Sequence, residues 1–189
     1  MDVYEAILNR HSVRRYKSDG VPDTLIAKVL EAARWAPSWK NKQCWEFIVI
    51  KDQTIIEKLI KGSFGKFFNA PVYIVACGYP TKSGKREGID YYIADVANAI
   101  ENLLLAARAE GLGTCWIGAI SKEVQIRQIL GIPFPLRIIA ILSLGFPVED
   151  FAGKILNFAV NVMVRNRSRK ELYNFCHLNK FGNRFLSEK

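Results

Sequence analysis

Apolar positions along the chain alternate between two patterns, helical spacing and short continuous runs, and the alternation predicts its elements. Asp2 precedes Val3, Ala6 and Ile7, which share one helical face, so a short capped helix ending near Asn9 is expected. After Val21-Pro22-Asp23, residues Leu25, Ile26, Val29, Leu30 and Ala33 recur at helical spacing until Pro37 forbids continuation. Phe47 to Ile50 and Val72 to Cys77 are apolar runs that predict buried strands, with Ile55, Ile56, Leu59 and Ile60 on a helix between them. That order of strand, helix and strand suggests an α/β sandwich. The longest helical pattern runs from about Asp90 to Glu110, with Ile93, Val96, Ala97, Ile100, Leu103, Leu104 and Ala107 on one face. Because Ala94, Ala99, Leu105 and Ala106 widen that face, the helix is expected to be central, in the core or across a subunit interface. A strand broken by glycines, Leu112 to Ile120, a helix from about Lys122 to Leu130 and a strand from Arg137 to Leu144 follow. Phe151 to Val164 is apolar but of undecided type, and Arg169 to Leu178 predicts a last helix.

Two stretches stand outside this regularity. Pro37 to Trp45, PSWKNKQCW, reads as a loop that carries two tryptophans among Ser38, Asn41 and Gln43. The tryptophans are there either to anchor the loop or to serve a site. Gly78 to Gly88, GYPTKSGKREG, has glycine, proline and basic residues and little to bury, so a mobile loop or lid is expected.

The 189 residues, half of them apolar, fit one domain with no internal repeat and no low-complexity tract. No apolar run approaches the ~20 residues of a membrane span, and the opening MDVYEAILNR lacks the pattern of an export signal, so a cytoplasmic location is expected. Cys44, Cys77, Cys115 and Cys176 contain no C-x-x-C pair, and His11 and His177 are far apart, so no metal site is expected. The net charge of +9 is uneven. Residues 10–42 hold eight basic against three acidic residues, and residues 165–189 seven against two. The first excess centres on NRHSVRRY, where Arg10, His11, Arg14 and Arg15 surround Ser12. Such a cluster repels itself unless an anion, a partner or solvent offsets it. On the residues alone, a solvated basic turn, a small-anion site and a nucleic-acid patch all remain open.

The searchable catalytic signatures are absent: no G-x-S-x-G, H-E-x-x-H, G-x-x-x-x-G-K-[ST] or G-x-G-x-x-G occurs. Cys115 has no histidine near it in sequence, and a thiol on a strand is more often core than nucleophile.

Five separated segments together resemble the FMN-dependent nitroreductase family. NRHSVRRY resembles its R-[RH]-S-x-R-x-[FY] opening and PSWKNKQCW its P-S-x-x-N-x-Q-P-W loop. GLGTCWIGAI is similar to its G-L-G-[ST]-C-W-I-G segment, LGIPFPLRIIAILSLGFP to its L-G-I-P block, and RKELYNFCHLN to its basic tail. Cys44 stands where that family usually has proline, and residues 148–164 are longer than its usual link to the tail.

The resemblance implies an α+β, three-layer sandwich, a mostly antiparallel sheet flanked by helices, in one domain over residues 1–189. It also implies an interlocked homodimer, with a C-terminal segment from about 148 reaching over the partner subunit. The cofactor it implies is FMN, reduced by NADH or NADPH. Hydride would pass through the flavin N5 in two steps to a nitroaromatic, quinone or similar small acceptor, so no dedicated catalytic residue is expected. Arg10, Ser12 and Arg14, with His11 beside them, would hold the FMN phosphate and the pyrimidine side of the ring, and Arg169 would reach the phosphate. Pro37, Ser38, Trp39, Asn41 and Gln43 would come from the partner subunit, and Trp116, Ile117 and Gly118 would line the ring. Alternatives are a relative with changed flavin chemistry, such as reductive dehalogenation or flavin fragmentation, and a basic nucleic-acid-binding protein.

Overall fold

A computed structural model of the chain describes residues 1–63, 69–148 and 168–185. It divides into two compact units, Met1–Asn157 and Phe158–Lys189. The first unit contains helices α1 (Val3–Asn9), α2 (Asp23–Arg34), α3 (Gln53–Ser63), α4 (Tyr91–Ala109) and α5 (Glu123–Leu130). Its strands are β1 (Trp45–Ile50), β2 (Val72–Gly78), β3 (Lys85–Arg86), β4 (Ile89–Asp90), β5 (Gly113–Ile117) and β6 (Arg137–Gly145).

Four strands form one antiparallel sheet in the order β1-β2-β6-β5. Strand alternation sends successive side chains of β2 to opposite faces and so builds two cores. Val72, Ile74 and Ala76 join Val29 and Ala33 of α2 and Val96, Ile100 and Leu103 of α4 on one face. Tyr73, Val75 and Cys77 join Ile56 and Leu59 of α3 and Ile126 of α5 on the other. Each fully buried Ile or Leu contributes about 1.5–3 kcal/mol, so a sheet covered on both faces needs no covalent staple. This is the expected three-layer α+β sandwich. Because β1 and β2 run antiparallel, α3 between them is an excursion over one face and not a parallel crossover.

The sheet has one irregularity. Cys77 pairs with Ile138 and Ala76 with Ala140, which leaves Ile139 as an extra residue in β6. Ile138 and Ile141 therefore pack on the α3/α5 face, while Ile139 and Ala140 both lie against the α2/α4 core.

Asp2 caps α1 as expected, through a capping box with Glu5. Helix α4 is central as expected, but its buried face is rotated from the one read from the sequence. Tyr92, Asp95 and Ala99 are buried with Val96, Ile100, Leu103, Leu104 and Ala107, while Ile93 is 48% exposed.

The segment 78–88 is more ordered than its composition suggests. Pro80–Lys82 make a 3-10 turn, and β3 and β4 form a two-residue hairpin that leads into α4. Gly88, at φ +85°, supplies the left-handed conformation of its turn. In the second unit a 3-10 turn, Leu172–Asn174, stands where a last helix was expected. A bridge between His177 and Arg184 closes this segment, because Leu178 and Phe185 hydrogen-bond across it instead of along a helix. The apolar stretch Phe151 to Val164 lies outside the described residues.

Candidate active site

The basic turn is drawn to the edge of the sheet by its backbone. Ser12 forms a parallel bridge with Thr114, and the Val13 N–H donates to the Thr114 carbonyl at 2.8 Å. Gly113 permits this approach, because a Cβ there would lie 2.8 Å from the Val13 side chain. Farther along, Tyr16 is bridged to Pro147 and the Lys17 N–H donates to the Phe146 carbonyl, so residues 12–17 are fixed against both β5 and the end of β6.

Tyr16 is the anchor of that segment. Its hydroxyl donates to the Val13 carbonyl at 2.5 Å and accepts from the Ser143 hydroxyl at 2.7 Å. Burial holds its pKa well above the usual tyrosine value, so it remains a neutral donor. Gly145 leaves room for its ring, since a Cβ there would meet Tyr16 Cδ1 at 2.9 Å.

Anchored in this way, the turn gathers its polar groups over one buried thiol. Burial pushes the Cys115 thiol up, while Arg14, the Ser12 side chain, hydrogen-bonded to the thiol, and Arg10 all pull the other way. Arg10, Ser12 and Arg14 therefore share one locality, around Cys115 of β5. Their charge is poorly compensated. Arg10 meets Glu101 only at 3.9 Å, and Arg14 has no ion pair among the described residues, its one hydrogen bond reaching the Ser12 carbonyl at 3.5 Å. His11 Nδ1 lies 2.9 Å from the Asn9 carbonyl, an arrangement that places the proton on Nδ1. Cys115 itself is only 4% exposed, and among the described residues no hydrogen bond joins it to a base, which agrees with a core role.

Next along β5, Trp116 is 37% exposed, Ile117 is buried, and a Cβ at Gly118 would approach only the Trp116 side chain, at 3.3 Å. Two weakly paired guanidinium groups and a hydroxyl thus gather at Cys115, and the partly exposed Trp116 is the next residue of the same strand. That donor set suits a ligand with an anionic end and a flat apolar body, and FMN fits it.

The Pro37–Gln43 loop is built separately, on the N-terminal half of α4. The Asp95 carboxylate accepts the Trp39 N–H at 2.8 Å through Oδ1. Through Oδ2 it accepts the Ser83 hydroxyl at 2.6 Å and the Cys44 thiol at 3.5 Å. Asn98 donates to the Pro37 carbonyl at 3.4 Å. Inside the loop Ser38 Oγ accepts the Gln43 N–H at 2.9 Å, and Gln43 Nε2 donates to Asn41 Oδ1 at 3.2 Å. Lys40, Asn41 and Gln43 have φ of +48°, +55° and +46°. A left-handed non-glycine residue costs roughly 1–2 kcal/mol, so three in one loop persist only because these bonds fix it.

Both parts of the site attach to α4. Asn98 takes the loop and Glu101, one turn on, faces Arg10. No hydrogen bond or ion pair among the described residues joins the loop to the turn. Arg169 belongs to the second unit, where its guanidinium donates to the Ser168 carbonyl at 3.0 Å. Sequence reading missed Asp95, since one acidic residue in an apolar helix reads as solvent-facing. Its burial depends on donors 56, 51 and 12 residues away.

Comparison with known proteins gives a family match and fold neighbours. The profile described as "Nitroreductase family" matches residues 7–67 and 61–146. A protein of Archaeoglobus fulgidus with the provisional name NADH dehydrogenase/NAD(P)H nitroreductase is 37% identical over 149 residues, covering 76% of this chain and 84% of that one. The crystal structure of a nitroreductase family protein from Clostridium novyi NT superposes with a TM-score of 0.74 at 30% identity, covering 98% of this chain and 97% of that one. A structure from Desulfovibrio desulfuricans, provisionally named a nitroreductase and solved in complex with FMN, gives a TM-score of 0.77 at 26% identity, covering 96% and 98%.

Proposed function

The chain belongs to the nitroreductase family, an oxidoreductase family, and from that premise we propose that it is an FMN-dependent NAD(P)H oxidoreductase acting on a nitroaromatic, quinone or similar small acceptor. The observation that carries this reading is the convergence of Arg10, Ser12 and Arg14 at Cys115 of β5, the strand whose next residue, Trp116, is partly exposed. FMN, when bound, supplies the two-electron chemistry.

The chain's own groups hold and orient. Arg10 and Arg14 offer planar, charge-assisted donors to the phosphate and the pyrimidine side, each contact worth roughly 1.5–3 kcal/mol before desolvation. Ser12 adds a hydroxyl, and the Trp116–Gly118 segment supplies an apolar shelf that keeps water from one side. Arg169 is assigned to the phosphate on its place in the basic tail.

We assign the functional form to a homodimer in which the Pro37–Gln43 loop serves the partner's cofactor and the segment from about 148 reaches over the partner. Two features support this. The loop has no bond to its own chain's basic turn among the described residues, and α1 exposes Val3, Tyr4 and Ile7 at 62%, 74% and 49%. A helix with that much apolar surface in water is stabilised by covering it. Among the described residues, no helix is long and apolar enough to cross a membrane.

The test is a spectrum of the purified protein followed by anaerobic titration. Flavin absorbance near one FMN per chain that bleaches with NADH or NADPH, and recovers on adding a nitroaromatic or quinone, is expected. Bound flavin that neither nicotinamide bleaches rules out the reductase assignment.

A further inference from the structure

A cleft of about 610 Å³ lies between the Trp39–Lys42 segment and the turn before the β3–β4 hairpin, lined by Trp39, Lys40, Lys42, Thr81, Lys82 and Ser83. Its lining contains three ammonium groups and no carboxylate. Two of the ammonium groups rest on aromatic rings: Lys40 Nζ lies 4.7 Å from the Trp39 ring centroid and Lys82 Nζ 3.9 Å from that of Tyr79. None of the three lysines has an ion pair among the described residues, whereas Lys85 close by is matched to Asp90 at 3.4 Å.

The walls are fixed to each other. Asp95 accepts the Trp39 N–H from one wall and the Ser83 hydroxyl from the other, so a single buried carboxylate sets their separation. Gly84 packs against the Trp39 ring so closely that a Cβ would lie 2.6 Å from it. The Asp95 carboxylate is thus engaged by the two walls, and the lining keeps an uncompensated positive face.

We propose that this cleft binds the 2′-phosphate of the nicotinamide dinucleotide and makes the protein prefer NADPH to NADH. The inference rests on the reductase reading for its kinetic consequence but not for the binding itself. The volume is that of a small-molecule site. A terminal phosphate is the one group that NADPH carries and NADH lacks, and it is dianionic near neutral pH. Three lysines are mobile point charges that complement such a group without needing a fixed fork, and the Thr81 and Ser83 hydroxyls add donors.

The full-length, FMN-loaded protein is compared with Lys40→Gln/Lys42→Gln/Lys82→Gln and with Lys58→Gln, a charge control on α3, at one ionic strength. In calorimetry, adenosine 2′,5′-bisphosphate should bind wild type at least about tenfold more tightly than adenosine 5′-monophosphate, and the triple variant should lose that difference while Lys58→Gln keeps it. In steady-state assays at saturating FMN the triple variant should raise KM for NADPH about tenfold and KM for NADH less than about threefold. Equal binding of the two adenosine nucleotides by wild type overturns the proposal. So does an equal rise of KM for both dinucleotides, which would mean recognition of the shared pyrophosphate, or a rise confined to an anionic acceptor. Selective nucleotide binding by a protein whose flavin is not bleached would leave the phosphate site standing and remove the reductase reading instead.

Discussion

The Asp95 carboxylate accepts the backbone N–H of Trp39 at 2.8 Å, across 56 residues of sequence, from a side chain that is only 4% exposed. A buried carboxylate is tolerable only while its lone pairs are used, and here Trp39, Ser83 and Cys44 use them. Replacing Asp95 by alanine leaves two good donors without an acceptor and releases a loop with three left-handed residues. A loss of about 2–4 kcal/mol is expected from urea denaturation, and Asp95→Asn, which keeps one carbonyl oxygen for the Trp39 N–H, should lose less than half as much. Equal losses in the two variants would mean that the space and not the acceptor matters.

Gly84 makes a related prediction through packing. A Cβ would lie 2.6 Å from Trp39 Cε2 and 2.9 Å from Cζ2, inside contact distance of a half-buried ring already placed by Asp95. Gly84→Ala should cost about 1–3 kcal/mol and shift the tryptophan emission, while Gly20→Ala, which would meet nothing within 4 Å, should cost less than about 0.5. Matching losses would show that backbone freedom, not ring contact, selects glycine at position 84.

Much of this arrangement was legible in the sequence, for a physical reason. Burial on one face imposes the spacing of Ile26, Val29 and Ala33 in α2 and the continuous run of β2, and those patterns are local. The basic turn and the loop were legible as departures from it. What stayed hidden depends on distant partners: the direction of β1 against β2, the extra residue Ile139, and the rotation of α4 that buries Asp95 and leaves Ile93 outside. The segment 78–88 was misjudged because its order comes from the Ser83–Asp95 bond and from the Tyr91 N–H donating to Gly84, not from apolar content. The tail was misjudged as helix for the complementary reason, since Arg169 to Leu178 has helical spacing but is closed by bonds to residues 183 and 185.

The arginine assignments separate by cofactor retention. Arg14→Ala and Arg169→Ala should each weaken FMN affinity about tenfold or more by removing a charge-assisted contact to phosphate. Lys82→Ala lowers net charge by the same amount but lies in the dinucleotide cleft and should leave FMN affinity within about twofold. Fluorescence titration of the apoprotein measures all three. Equal losses would mean general charge and not a defined phosphate site.

The exposed face of α1 predicts the assembly. Tyr4 and Ile7 are 74% and 49% exposed, one turn apart on a helix whose only buried residue is Ala6. Tyr4→Glu/Ile7→Glu should shift the protein from dimer to monomer in light scattering and reduce bound FMN with it, because each site would lose the loop of the other chain. A variant that stays dimeric places the interface elsewhere, and a monomer that keeps its FMN removes the loop from the partner's site.

Alkaline stability follows from the buried thiols. Burial, reinforced by the Asp95 carboxylate, pushes Cys44 from an ordinary 9.0 up to about 11, and burial pushes Cys77 up to about 12. Tyr73 likewise rises from 10.0 to about 12. In each case the folded protein holds the proton more tightly than the unfolded chain. The associated stability is therefore complete below about pH 9 and is lost as pH climbs through the folded values. Between about pH 9 and 11 the unfolded chain has released both thiol protons while folded Cys44 and Cys77 keep theirs, so both contribute to the loss, and the share of Cys44, on the order of 2 kcal/mol, is complete near pH 11. Cys44→Ser keeps a donor for Asp95 but cannot ionise in that window. Its stability should fall less steeply than wild type between pH 9 and 11, measured as denaturation midpoint against pH. Parallel profiles for the two proteins would assign the alkaline loss to another group and leave the Cys44–Asp95 contact without that consequence.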